Sequence, residues 1–134
     1  MSTRHLSFGA RGEEVAAAYL RRKQGTILER NYRCKVGEID IICEFGQEIL
    51  FVEVKTRRIG GMGLPGEAVN RAKQKRLLKA ASRYLSLNRL WDRPCRFDLI
   101  TVVQTPQGLD VEHFENVIDA SDIVGGRHTS WQPW

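Results

Sequence analysis

Four charged residues stand in two strand-like segments where an apolar run is the ordinary pattern. Residues 36–45 and 48–56 are rich in Ile, Val, Leu and Phe, yet they carry Glu38, Asp40, Glu53 and Lys55. Charged groups avoid core strands unless something pairs with them. Side chains alternate faces along a strand, so Glu38 shares a face with Asp40, and Glu53 with Lys55. Between the segments, Gly46-Gln47 suits a two-residue type II′ turn closed by Phe45 and Glu48. That register sets Asp40 opposite Glu53 and Glu38 opposite Lys55, with opposed Cβ atoms about 4.5–5.5 Å apart. A turn one residue longer would undo the pairing.

Carboxylates crowded in this way repel, and at least one should have a raised pKa. A hard divalent ion relieves such crowding. Mg2+ or Mn2+ takes oxygen ligands and keeps several waters, with Asp40 and Glu53 as the candidate ligands and the Val54 carbonyl as a third. Lys55 could orient or help deprotonate a water, or stabilise charge on a phosphate. Together these parts describe metal-assisted attack of water on a phosphodiester. The bland alternative is a charged ribbon whose acids and lysine pair in solvent. The Asp then Glu-x-Lys spacing alone does not choose between them.

The elements around the ribbon follow from periodicity. Residues 8–24 predict a helix, with Val15, Ala16, Tyr19 and Leu20 at helical spacing and Gly25 as its stop. Glu13 lies on the flank of that apolar stripe and could reach inward, or it could simply complement the helix dipole. Residues 26–33 predict a strand. After the ribbon, the stretch from Arg57 to Gly66 holds four glycines and a proline and reads as a loop beside the site. Residues 67–88 predict a second helix, with Leu77, Leu78, Ala81, Tyr84 and Leu85 inward. Its other face is basic: Arg71, Lys75, Arg76, Lys79 and Arg83. Lys73 falls near the buried stripe, either snorkelling to solvent or facing the anionic centre. Strands are expected at 95–104 and 109–116, the first carrying Asp98, which reads as a partner for a nearby Arg. The expected domain runs from 1 to 124, with 125–134 a loosely held tail.

Bulk properties narrow the partners. The 134 residues suit one domain, and a net charge of +5 is unevenly spread. Residues 54–83 hold nine Lys and Arg against one acid, whereas residues 97–134 hold six acids against one Arg. That asymmetry favours a polyanion on one side, with Arg57, Arg58, Lys73, Lys75, Arg76, Lys79 and Arg83 as the candidate nucleic-acid contacts. No apolar run or leader-like start suggests a membrane or export. Three scattered cysteines without a CxxC pair argue against a zinc site or disulfide framework, so a cytoplasmic protein is expected.

The motifs resemble those of the YraN family of bacterial proteins, within the PD-(D/E)XK nuclease superfamily and similar to archaeal Holliday-junction resolvases. The resemblance runs over about residues 8–116. It rests on Gly9-Ala10-Arg11-Gly12-Glu13, Glu29 to Arg33, Gly37 to Ile42, Phe51 to Arg57, Lys73, the 81–85 helix end and Arg96-Phe97-Asp98. It implies a restriction-endonuclease-like α/β fold: a mixed sheet of four to five strands flanked by helices, in αβββαβ order. It also implies metal ligation by Asp40 and Glu53, a catalytic Lys55, and Glu13 as a fourth corner of the site. Ile39 replaces the proline that names the superfamily, and Glu38 is an added acid. The expected function is a metal-dependent endonuclease acting on DNA, including branched or structured DNA, with a homodimer by analogy. The alternatives are a nucleic-acid-binding module that keeps the fold without catalysis, and a protein-interaction domain whose acids pair with surface Arg.

Overall fold

A computed structural model describes residues 7–58 and 70–118. The expected tail (125–134) and most of the Gly-rich segment, 59–69, lie outside the described residues. The elements are α1 (Phe8–Arg22), β1 (Thr26–Cys34), β2 (Gly37–Phe45), β3 (Glu48–Arg58), α2 (Arg71–Asn88), β4 (Cys95–Thr105) and β5 (Gly108–Phe114). They begin in the αβββαβ order and add β5. The five strands lie side by side in sequence order. All neighbours are antiparallel except β3 and β4, which run parallel and are joined through α2, as a parallel connection requires.

Each face of the sheet is covered by one helix. Ala16, Ala17 and Leu20 of α1 pack on Ile41, Cys43, Leu50, Val52, Ile100 and Val102. On the other face, Leu77, Leu78, Ala81, Tyr84 and Leu85 of α2 pack on Ile42, Ile49, Phe51, Phe97 and Leu99. The central strands β3 and β4 are buried on both faces, so they read as continuous apolar runs rather than alternating ones. Phe51 stacks on Phe97 with centroids 5.2 Å apart and meets the Tyr84 ring edge-on. Fully burying such a side chain contributes about 1.5–3 kcal/mol.

Several boundaries differ from the expected ones, three of them for reasons the structure shows. Gln24 adopts a left-handed backbone (φ 76), so α1 stops at Arg22, before Gly25. Asn70 is extended (φ −79, ψ 174) and its side chain accepts the Lys73 N–H at 2.9 Å, so α2 starts at Arg71 rather than 67. Arg57 and Arg58 belong to β3, paired with Val103 and Gln104, and not to the loop. Partners on β4 extend a strand that propensity alone would have ended.

Candidate functional site

The β2–β3 hairpin has the expected register over its first half. Phe45 faces Glu48, and the ladder runs through Ile42–Phe51 to Ile41–Val52. Gly46 has φ +56 and Gln47 is not in the left-handed region, as a type II′ turn requires. At Asp40 the ladder ends. The direct Asp40–Glu53 and Glu38–Lys55 oppositions do not continue it.

The cause lies in the neighbouring strand. Arg30 is on the α1 side, where it pairs with Glu14 at 2.9 Å. Tyr32, two residues on, packs against Tyr84 of α2. Their cross-strand partners divide the same way, Ile41 on the α1 side and Ile39 on the α2 side. Period-two alternation would keep each pair on one face. Both strands therefore turn over between these positions, at Asn31 and Asp40, and Asn31 takes a left-handed backbone (φ 54) to do so. Asn tolerates that conformation better than most residues. Asp40 is left facing β3, where its Oδ2 accepts the Val54 N–H at 2.8 Å. A side chain has replaced a rung of the ladder.

Asp40 and Glu53 share a cleft of about 470 Å³ between the β1–β2 turn and the start of α2. Glu53 is buried, 8% exposed, and its carboxylate is ion-paired with the Lys73 ammonium. Glu38 stands at the exposed edge and pairs with Arg33 at 3.6 Å rather than with Lys55. Arg33, Lys35, Lys73 and Arg76 give the cleft a cationic rim over its acids. Burial, then the Glu53 charge, pushes the Asp40 carboxyl up to about 7, against the Val54 N–H and Lys73, which favour the ionised form. Glu13 reaches inward from α1. It is half-buried, hydrogen-bonded to Asn31, and raised by burial and then by Asp40. Lys55 is exposed and stands outside the cleft lining, as do Lys75, Lys79 and Arg83 on the outer face of α2.

The donor set suits a hard cation that keeps most of its waters. Two carboxylates line the same cleft, and the Glu53 charge that helps raise Asp40 is what a divalent ion relieves. Among the described residues no three His, Cys, Asp or Glu side chains gather as a ready-made cage. Arg33 and Lys35 were not singled out from sequence. Their signal is two cations close before Glu38, Arg33 at the end of β1 and Lys35 in the turn, but their place on the cleft depends on how that turn meets α2. Asp98 is accounted for otherwise: it accepts from Arg96 (2.9 Å), the Asn116 N–H (2.9 Å) and His113 (2.7 Å).

Fold and site together define the class: a mixed five-stranded α/β sheet between two helices, with paired carboxylates where β2 parts from β3. The chain belongs to the family described as uncharacterised protein family UPF0102, the YraN family, whose model matches residues 12–102. It is similar to a UPF0102 protein of Nitratidesulfovibrio vulgaris, 44% identical over all of this chain and 99% of that one. It is also similar to one of Syntrophotalea carbinolica, 46% identical over 89% of this chain and 97% of that one. Among solved structures, Pyrococcus furiosus SfsA in complex with Ca2+ aligns with a TM-score of 0.41 and 14% identity, over 86% of this chain and 72% of that one.

Proposed function

We propose that the protein hydrolyses phosphodiester bonds in DNA, branched or structured forms included, using Mg2+ or Mn2+ at Asp40 and Glu53. One observation carries this reading: a buried Glu53 and a half-buried Asp40 line one cleft whose rim is Arg33, Lys35, Lys73 and Arg76. A solvated charged ribbon would leave both acids exposed, and a protein-interaction surface has no use for an acid buried beside a second, half-buried one. The cationic rim binds the phosphate backbone, while the Val54 N–H fixes the Asp40 carboxylate. When bound, the ion supplies Lewis-acid activation of water and neutralises charge developing on the phosphate. Lys55, two residues further along β3, donates to a non-bridging phosphate oxygen, and Glu13 is a fourth, acidic corner on the α1 side, held by Asn31.

The test is cleavage of supercoiled, nicked, flapped and four-way DNA with either metal. Asp40→Ala and Lys55→Ala should each lose activity by at least about 10²-fold while binding persists. The second reading, a binding module without catalysis, has the exposed position of Lys55 in its favour. Retained DNA binding with no cleavage of any substrate would establish that reading instead.

A further inference from the structure

Glu53 is buried, and a buried carboxylate needs a partner. Its partner is Lys73, whose ammonium reaches across the cleft from the first turn of α2. The two ends of this ion pair differ. Glu53 is fixed in β3, between Val52 and Val54, which pair with neighbours on β4. The Lys73 backbone is equally fixed, its N–H held by Asn70. Its side chain, however, is a flexible four-carbon stem that is 32% exposed. The mobile member of the pair is therefore the ammonium.

We infer that Lys73 is an exchangeable counter-ion. It neutralises Glu53 while the acid pair holds no metal, and a divalent cation binding Asp40 and Glu53 displaces it into the cleft. This rests on the cation-site reading above. A divalent ion competes for the same Glu53 oxygens, and two cations against one carboxylate repel each other. The displaced ammonium stays on the rim with Arg33, Lys35 and Arg76, where a phosphate would be its new partner. Cation and nucleic-acid backbone then bind cooperatively and reciprocally, because each removes a cost from the other. Without metal, the cleft carries its own neutralising charge and does not repel the backbone.

The test is direct metal binding. Mn2+ is titrated into the wild type, Lys73→Met and Asp40→Asn, with free Mn2+ followed by electron paramagnetic resonance. Lys73→Met should bind Mn2+ at least about fivefold more tightly, because the competitor is gone. In parallel, the 15N-labelled Lys73 ammonium signal of the wild type, assigned by its absence in Lys73→Met, should shift and exchange faster when Mg2+ saturates the site. Unchanged or weaker Mn2+ binding by Lys73→Met, or an ammonium signal unmoved by saturating Mg2+, overturns the exchange. If Asp40→Asn binds Mn2+ as well as the wild type, or if no variant binds it, the cation site falls and the exchange with it.

Discussion

Asp40 carries the clearest consequence at the scale of single residues. Its carboxyl titrates near 7 in the folded chain because burial and Glu53 disfavour the charge, against an ordinary value of 3.8. Between those values the native state binds more protons than the unfolded state, so this group's contribution makes stability fall as pH rises. Above about 7 both states are ionised and the penalty is complete. Asp40→Asn stays neutral throughout. Its melting temperature relative to the wild type should therefore be several degrees more favourable at pH 8 than at pH 5, and Mg2+ should narrow the gap by stabilising the ionised form. A difference independent of pH would mean the Asp40 carboxylate is not desolvated. That residues 40 and 53 lie in one neighbourhood is legible in the sequence, because the turn at Gly46-Gln47 sets the register as far as Ile41 and Val52. The turnover at Asn31 is not. A left-handed Asn within a strand is decided by which helix each flanking side chain meets, and no local signal reports that.

Among elements, β5 shows how a strand with few buried side chains is held. It lies at the sheet edge beside β4, and its His113 is sandwiched between two partners. His113 Nδ1 meets the Tyr19 hydroxyl of α1 at 2.9 Å, and Nε2 meets Asp98 of β4 at 2.7 Å. Asp98 is 1% exposed; burial would raise its pKa, but hydrogen bonds from His113, Arg96 and the Asn116 N–H hold it below the ordinary value. This polar brace ties α1, β4 and β5 together on the opposite edge from β1. Asp98→Ala would strand a half-buried His and a half-buried Arg, a loss of about 3–5 kcal/mol. Urea unfolding should show that loss, while metal and DNA binding by the folded protein should be unchanged. A stable but inactive Asp98→Ala would instead place Asp98 in the chemistry. The helix and strand types were readable from periodicity, but this brace was not. Tyr19, Asp98 and His113 are distant in sequence, and only the antiparallel return of β5 aligns them.

Across the whole molecule, the uneven charge of the sequence becomes a spatial division. Arg71, Lys75, Arg76, Lys79 and Arg83 are exposed on α2, which packs near β2, and Arg33 and Lys35 face it across the cleft. Asp110, Glu112 and Glu115 are exposed on or beside β5, at the far edge of the sheet. The counts along the chain already predicted a basic side, but the strand order was needed to put the acidic segment at the opposite edge. A phosphate backbone entering the cleft would therefore run along α2, away from β5. Removing one phosphate-binding cation should then lower the slope of log affinity against log salt by about 0.9 on duplex and about 0.7 on single strands. Lys75→Ala, Lys79→Ala and Arg83→Ala combined should reduce the slope by roughly two to three. The pair Arg33→Ala with Lys35→Ala should reduce it further and also weaken binding of short oligonucleotides that span only the cleft. If the α2 triple variant keeps the wild-type slope while the Arg33 and Lys35 variant loses it, the backbone leaves the cleft across the β1–β2 turn instead, and the basic face of α2 serves solubility alone.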